Sequence, residues 1–290
     1  MDVAYFPGCS LHSMAREYDI STRAVCKHLG VNLHEIKDWN CCGATAAHSL
    51  DHFLATGLGG RNLKEIGEMN LDTASSPCAA CYSRLKSAAS ELRQNDDLRE
   101  ELEELLEGKV PVEIEITNLL ELMVTRVGLE NIAHQVQKPL KGLKLAAYYG
   151  CLLTRPVAVS GFDDPEQPMS LDRLLRVMGA ETVNWSHKAE CCGGGFAAAE
   201  TDIVIDLGGQ VLQSAREAGA EAVIVACPMC QINLDTRQRA IDAYHGVRYE
   251  LPVIYFTQLM GLAFGYPARK MGLQRLLVSP LPLLRSKGLI

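Results

Sequence analysis

The stretch EAVIVACPMC (221–230) joins a run rich in Val and Ile directly to a Cys-x-x-Cys pair, Cys227 and Cys230. A short apolar run with β-branched residues is typical of a buried strand. The residues that follow it, QINLDTRQRAI (231–241), have the apolar spacing of a helix. This stretch therefore predicts a strand, a turn and a helix, with two thiols at the turn.

Strand-like and helix-like runs alternate along the chain on both sides of this stretch. They are VAYF (3–6), STRAVCKHLG (21–30), DTASS (72–76), KLAAYY (144–149), LDRLLRVMGA (171–180) and EAVIVA (221–226). Such alternation is typical of α/β proteins with mostly parallel sheets. Ligands of these sheets gather beyond the C-terminal ends of the strands, and the cysteines fall there.

Ten of the eleven cysteines follow one order that occurs twice: a lone Cys, then Cys-Cys-Gly, then Cys-x-x-Cys. The spacing is C-x31-C-C-x35-C-x2-C and then C-x39-C-C-x34-C-x2-C. The first set is Cys9, Cys41, Cys42, Cys78 and Cys81, and the second is Cys151, Cys191, Cys192, Cys227 and Cys230. Only Cys26 lies outside the pattern, and we expect it to be a small core residue of a helix.

The repeat divides the chain into two α/β halves, residues 1–140 and 141–290. IEITNLLEL (114–122) and IYFTQLMGL (254–262) repeat as well, which supports two homologous halves related by a pseudo-two-fold axis. The first half carries an acidic, amphipathic helical insertion at about 84–108. The second ends in a basic and apolar tail, which either docks an electron-transfer subunit or packs on its own domain.

Composition and charge narrow the class of protein. A hydrophobic content of 48% and a charged content of 22% are normal for a folded soluble protein. The net charge of −7 argues against nucleic acid as a partner. We find no signal-peptide pattern at the start, and the longest apolar stretch, 251–266, is too short to span a bilayer. The sequence therefore predicts a cytoplasmic protein without a membrane span.

Eleven cysteines in such a chain indicate metal or redox chemistry. A disulfide framework fits poorly, because the cysteine count is odd and the chain is neither small nor marked for secretion. Zinc and a cubane [4Fe–4S] cluster each take four ligands, whereas each half offers five thiols. Spacing alone leaves open a spare cysteine beside an ordinary cluster or a cluster bound by all five. Gly43 and Gly193, which follow the Cys-Cys pairs, allow the tight backbone that such a site needs.

Two copies of Cys…Cys-Cys-Gly…Cys-x-x-Cys resemble the CCG-domain proteins, and specifically the heterodisulfide reductases in their B-type polypeptide. The resemblance covers nearly the whole chain. It implies that each five-cysteine set holds one non-cubane [4Fe–4S] cluster, so that all ten cysteines are cluster ligands. It also implies reduction of a disulfide, in methanogens the coenzyme M–coenzyme B heterodisulfide, and partners of two kinds: a ferredoxin-like iron–sulfur subunit (C type) and a flavin-containing subunit (A type).

The duplicated clusters suit the reduction of a disulfide, which takes two electrons. Each cluster could give one electron and hold one sulfur, provided that the two clusters flank one cleft between the halves. We then expect nearest irons about 10 Å apart or less. The alternative is an electron-transfer subunit of a CCG-domain oxidoreductase complex, as in fumarate reductases, and a zinc-bound structural protein is a third interpretation.

Polar residues beside the cysteines are candidates for substrate binding. Arg155 or Lys188 could bind the anionic groups of such substrates, and His187 could supply protons. The alternative for each is an ordinary helix cap or a solvated polar residue. GLGGRN (57–62) and CGGG (192–195) lack the strand–GxGxxG–helix pattern of a dinucleotide site, so we expect electrons to come from another protein.

Overall fold

The strands of this protein form two four-stranded sheets, and every strand pair in each sheet is parallel. The structure is a computed structural model that describes residues 1–44, 47–197 and 199–290. The first sheet contains β1 (Asp2–Tyr5), β2 (Asn32–Glu35), β3 (Thr73–Ser76) and β4 (Glu115–Asn118). The second contains β5 (Lys144–Tyr148), β6 (Glu181–Thr182), β7 (Ala222–Val225) and β8 (Val253–Tyr255).

The two sheets have the same strand order. It is β2-β1-β3-β4 in the first sheet and β6-β5-β7-β8 in the second. Ala4 of β1 pairs with His34 and Ala74 on its two sides, and β5 is paired in the same way with β6 and β7. The predicted α/β fold with two similar halves and parallel sheets is therefore confirmed.

Helices connect the strands in both halves. Those of the first half are α1 (Gly8–His12), α2 (Arg16–His28), α3 (Ala47–Leu50), α4 (His52–Gly67), α5 (Ala79–Gln94), α6 (Asp96–Leu105), α7 (Leu119–Glu121) and α8 (Leu129–His134), with a π-helical segment at Leu122–Gly128. Those of the second half are α9 (Val157–Ser160), α10 (Ser170–Val177), α11 (Thr201–Glu217), α12 (Pro228–Thr236), α13 (Gln238–His245), α14 (Phe256–Ala263) and α15 (Leu281–Ser286), with 3₁₀ turns at Gly194–Phe196 and Leu273–Arg275.

Both Cys-x-x-Cys pairs lie at the start of a helix. All four residues of β7 are buried, and the chain passes from this strand into α12, where Cys227 is the N-cap and Pro228 is the first helical residue. Proline suits this position, because the first N–H of a helix has no partner within the helix. Cys78 is likewise the N-cap of α5. The helix predicted at 231–241 is divided into α12 and α13 around Arg237.

The predicted insertion at about 84–108 is the end of α5 followed by α6. Leu102 is the buried residue of α6, and its acidic residues are exposed except for Glu103, which is partly buried and accepts from the N–H of Val110. The C-terminal tail packs on its own chain: Met271, Leu273 and Leu284 are fully buried. Among helices of the described residues, none is long and apolar enough to cross a membrane.

Equivalent elements of the two halves exchange contacts across their interface. Helix α2 of the first half packs on α14 of the second, and α10 of the second packs on α7 and α8 of the first. In the same way α1 contacts α12, and α9 contacts α5. Since α2 corresponds to α10 and α5 to α12, the exchange is reciprocal, as a pseudo-two-fold axis requires.

Aromatic and hydroxyl side chains fill this interface. The ring of Tyr18 stacks on that of Tyr255 with centroids 4.0 Å apart, and the Tyr18 hydroxyl donates to the carbonyl of Ala226 at 3.1 Å. The hydroxyls of Ser21 and Thr257 lie 2.7 Å apart. Ala226 directly precedes Cys227, so these contacts fix the second Cys-x-x-Cys pair against the first half.

The substitution Tyr18→Phe tests this interface. It removes the hydroxyl that donates to the buried Ala226 carbonyl and keeps the ring stack, so we expect the free energy of unfolding to fall by about 1–2 kcal/mol. Anaerobic urea denaturation measures it. Tyr244→Phe is the control, because Tyr244 is 64% exposed and its loss of a hydroxyl should have no measurable effect. Equal effects of the two substitutions would contradict the role of the Tyr18 hydroxyl.

Candidate functional site

All ten cysteines of the repeat lie beyond the C-terminal ends of the three adjacent strands of each sheet. In the first half the lone Cys follows β1, the Cys-Cys pair follows β2 and the Cys-x-x-Cys pair follows β3, and the second half repeats this with β5, β6 and β7. Parallel strands end at the same sheet edge, so each set of five thiols is collected at one edge. We call the two sets the N-terminal site and the C-terminal site.

The N-terminal site is the more open of the two. The sulfurs of Cys42 and Cys81 lie 3.3 Å apart and both residues are buried, as is Cys78. Cys9 and Cys41, by contrast, are exposed. This site therefore has a buried side formed by the helix start and an outer side open to solvent.

The thiols of the C-terminal site line a single cavity of about 60 Å³. The sulfurs of Cys192 and Cys230 are 3.5 Å apart, and those of Cys151 and Cys191 are 4.0 Å apart. Apolar groups complete the lining, and two of them come from the other half of the protein. The lining residues besides the five cysteines are Ala79, Ala80, Tyr149, Leu152, Gly194, Gly195 and Met229.

Glycines before the lone cysteines leave room for a sulfur. Gly8 and Gly150 have φ of +71° and +66°. A Cβ on Gly8 would lie 2.8 Å from the sulfur of Cys81, and a Cβ on Gly150 would lie 3.0 Å from that of Cys230. Both positions therefore require glycine for two reasons: the positive φ of the backbone and the close approach of a thiol from the Cys-x-x-Cys pair.

Close contacts between thiols shift their protonation. Hydrogen bonds from Cys41 and Cys81 lower the pKa of Cys42 to about 3. The contact with Cys151 lowers the pKa of Cys191 to about 6, with help from the N–H of Gly193 at 3.3 Å. Thiolates are the metal-binding form of cysteine. Cys26, which is buried in α2, has its pKa raised to about 12 by burial.

The two sites meet across the interface of the halves. The thiols of Cys78 and Cys227, one from each site, lie beside each other, and Cys230 and Cys78 together lower the pKa of Cys227 well below its usual value. Ala79 and Ala80, which separate Cys78 from Cys81, form part of the C-terminal cavity. The Cys-x-x-Cys pairs are therefore the inner, shared side of both sites.

The donor sets fit iron–sulfur clusters on their chemistry. Each set consists of thiols alone. The absence of a side chain at Gly8 and Gly150 leaves the space that the sulfurs of Cys81 and Cys230 occupy. In a cluster, different irons take different thiolates, so the sulfurs need not converge on one point. Within the described residues, no group of three or more His, Cys, Asp or Glu side chains could hold a single metal ion.

The three polar candidates have different surroundings. Arg155 lies in a surface cavity of about 540 Å³ with Cys151 and Cys191, where it donates to the carbonyl of Ala189. His187 is half-buried, and its Nδ1 lies 2.9 Å from the Ser186 hydroxyl. Lys188 is only 2% exposed and pairs with Asp172 at 2.9 Å, so its ammonium faces the protein interior rather than either surface cavity.

A set of hydrogen bonds that sequence reasoning missed joins the two loops of the C-terminal site. Tyr149 N–H donates to the carbonyl of Lys188 at 2.8 Å, and the Tyr148 hydroxyl donates to that of Glu190 at 2.7 Å. The motif YYGC (148–151) thus holds the segment before Cys191. The signal lies in the difference from FPGC (6–9), because Phe has no hydroxyl and Pro has no N–H.

Comparison with known proteins agrees with the doubled site. The Cysteine-rich domain family (CCG) matches residues 3–86 and 145–235. The 8-methylmenaquinol:fumarate reductase membrane anchor subunit of Wolinella succinogenes is 31% identical over 275 residues, which are 94% of this chain and 95% of the relative. The B-type polypeptide of the ferredoxin:CoB-CoM heterodisulfide reductase of Methanosarcina mazei is 27% identical over 94% of this chain and 92% of the relative.

A solved structure shares the fold. It is the crystal structure of a hypothetical protein from Helicobacter pylori, with a TM-score of 0.77 and 12% sequence identity over 96% of this chain. This chain covers 52% of that protein. The two matched segments of the family each contain one set of five cysteines, in agreement with the repeat. The chain therefore belongs to the CCG cysteine-rich domain family and is similar to the B-type polypeptides of heterodisulfide reductases.

Proposed function

We propose that the chain is the catalytic subunit of a heterodisulfide reductase-type complex. It reduces a low-molecular-weight disulfide to two thiols, a reaction that consumes two electrons and two protons for each S–S bond broken. The observation that carries the proposal is the meeting of the two five-thiol sites across the interface, where Ala79 and Ala80 of the first Cys-x-x-Cys pair line the cavity of the C-terminal site. Two one-electron sites side by side match the two electrons that one S–S bond takes up.

The cysteines of the N-terminal and C-terminal sites would hold one [4Fe–4S] cluster each, of the non-cubane type. When bound, the two clusters supply one electron each to the disulfide. The chain's own contribution is to hold the sites side by side and to keep their shared side dry. Tyr18, Tyr255 and the two alanines of the first Cys-x-x-Cys pair exclude water there.

The surface cavity beside Cys151 and Cys191 is the proposed entry for substrate. Leu152, Pro156 and Val157 give it an apolar wall, and Arg155 and Glu190 give it one charge of each sign. The Arg155 side chain is 33% exposed, and its nearest carboxylate, that of Glu166, is 3.7 Å away. A guanidinium so placed can bind an anionic group of a disulfide while the S–S bond faces the cysteines. We keep His187 as a candidate proton donor.

A second candidate function is electron relay within an oxidoreductase complex. The Wolinella relative supports it, because that protein is named as a subunit of a fumarate reductase. The two functions differ in what oxidises the reduced chain. A catalytic subunit reduced anaerobically is reoxidised by a disulfide in the absence of any partner, whereas a relay subunit is reoxidised only through its partner.

We further propose a ferredoxin-like iron–sulfur subunit and a flavin-containing subunit as partners. Relatives named as the B-type and D-type polypeptides of heterodisulfide reductases, from Methanosarcina mazei and Methanosarcina barkeri, support such an assembly. Coenzyme M–coenzyme B heterodisulfide is one substrate to test, beside other small disulfides. The cytoplasmic location stays a prediction of the sequence.

Iron analysis tests the cofactor. An anaerobically purified chain should contain about eight irons and acid-labile sulfide, since each site takes four irons. Cys42→Ser or Cys192→Ser should change the spectrum of one cluster and abolish turnover, whereas Cys26→Ala should keep the iron content and the spectrum. Four irons, stoichiometric zinc, or wild-type behaviour of both serine variants would contradict two five-thiolate clusters.

The glycine positions allow a second test with a matched control. Gly8→Ala places a Cβ 2.8 Å from the sulfur of Cys81, so we expect iron to be lost from the N-terminal site and total iron to fall by about half. Gly30→Ala has the same φ of +71° but open space around its Cβ. Both variants carry the backbone strain of about 1–2 kcal/mol, and the difference between them isolates the contact with sulfur. Equal iron contents would show that Gly8 has no part in the site.

Kinetics of disulfide reduction test Arg155. Arg155→Gln should raise the KM for an anionic disulfide about 10- to 100-fold, the worth of one charge-assisted hydrogen bond. The KM for a neutral disulfide should change little. Arg237→Gln is the control, because Arg237 also donates to a backbone carbonyl, that of Ala197, but does not line the cavity. A parallel rise for both substrates would mean that Arg155 only supports the loop.

A further inference from the structure

The two sites have the same ligands but attach their loops in different ways. In the C-terminal site the segment after β5 and the segment before Cys191 are bonded to each other directly. Lys188 O accepts from the N–H groups of Tyr149 at 2.8 Å and Gly150 at 3.3 Å. Glu190 O accepts from the Tyr148 hydroxyl. These three hydrogen bonds therefore join the loop of the lone cysteine Cys151 to the loop that precedes the Cys-Cys pair.

A buried carboxylate holds the same two segments through their side chains. Asp172 of α10 accepts from the Tyr149 hydroxyl at 2.8 Å and from the Lys188 ammonium at 2.9 Å. The side chains of Asp172 and Lys188 are 1% and 2% exposed. Lys188 also donates to the carbonyl of Pro168 at 3.0 Å, and the Tyr149 hydroxyl in turn accepts from the N–H groups of Leu171 and Asp172.

The N-terminal site is attached differently. Asn62 of α4 binds both the N–H and the carbonyl of Asn40, which precedes Cys41. Within residues 1–44, which the structure describes without a gap, no hydrogen bond joins residues 6–13 to residues 37–42. The rings of Phe6 and His12 instead contact Trp39 edge-on, with centroids 5.5 Å and 5.2 Å away. His12 Nε2 also lies 3.0 Å from the Glu35 carboxylate, and Ile36 N–H donates to the carbonyl of Tyr5. The loops of this site are thus linked by ring contacts and a partly exposed polar pair, without a buried carboxylate between them.

We propose that Tyr149, Asp172 and Lys188 form a clamp that fixes Cys151 relative to Cys191, and that this clamp positions the ligands of the C-terminal cluster only. The three are positioning residues, acting through the cysteine loops. The inference rests on the proposed clusters and adds that the two are inequivalent: a buried, hydrogen-bonded clamp joins the loops of one, and ring contacts with a partly exposed polar pair join the loops of the other. Contacts that orient the ligands of a metal centre typically change metal affinity or activity about 10- to 100-fold when removed.

Tyr149→Phe tests the clamp with the smallest change. It removes one oxygen atom, and Tyr5→Phe is the matched control, because the Tyr5 hydroxyl donates to Asp19 of α2 at 2.9 Å in the first half without touching a cysteine loop. A second variant, Asp172→Leu with Lys188→Met, removes both charges together so that neither is left buried alone. Cys192→Ser identifies the spectral component that belongs to the C-terminal cluster.

Electron paramagnetic resonance and a redox titration of the purified chain are the readouts, with iron analysis alongside. We expect Tyr149→Phe and the double variant to shift the signal and midpoint potential of the C-terminal component, to leave the other component unchanged and to lower turnover about tenfold. Tyr5→Phe should leave both components as in the wild type. An unchanged C-terminal component at full iron content, or equal shifts of both components, would overturn the clamp. A wild-type chain without two clusters would overturn the proposed function itself, and that measurement precedes every variant.

Discussion

The rest of this structure depends on the parallel direction of the strands. Because β1, β2 and β3 end at one edge, thiols that are up to 72 residues apart in sequence are collected there, and β5, β6 and β7 repeat the arrangement. The reciprocal packing of α2 on α14 and of α10 on α7 and α8 then places the two edges together. As a direct result, Ala79 and Ala80 of the first Cys-x-x-Cys pair line the cavity of the second set of thiols. The duplication thereby places the N-terminal site and the C-terminal site side by side at the interface of the two halves.

Much of this arrangement could be predicted from the sequence, because the pattern that carries it is local. A β-branched run that ends at Cys-x-x-Cys and continues as a helix needs no distant partner to be recognised, and two copies of it define the halves. The glycines at 8 and 150 also stand next to the cysteines they serve, although their contacts with Cys81 and Cys230 come from the fold.

The clamp could not be predicted in the same way. Asp172 lies 21 residues after Cys151 in an amphipathic helix, where a single acidic residue ordinarily faces solvent. Lys188 stands three residues before Cys191, and sequence proximity alone makes it a candidate for the substrate. The direction of the Lys188 side chain depends on the packing of α10, because α10 carries the Asp172 carboxylate that pairs with the Lys188 ammonium. Long-range burial of an ion pair leaves no periodic signal in sequence, so the pair is visible only when both segments are placed.

The sequence differences between the two halves alter how the cysteine loops are attached, whereas the five cysteine ligands of each half are unchanged. At positions 148 and 149 the second half has two tyrosines, which supply a hydroxyl and an N–H to the loop before Cys191. At positions 6 and 7 the first half has Phe and Pro, which can supply neither. Consistent with this, Cys9 and Cys41 are exposed while Cys151 and Cys191 are partly covered. Since each half retains its five thiols and its glycine beside the Cys-x-x-Cys sulfur, the way in which the outer loops are attached is the property that distinguishes the two sites.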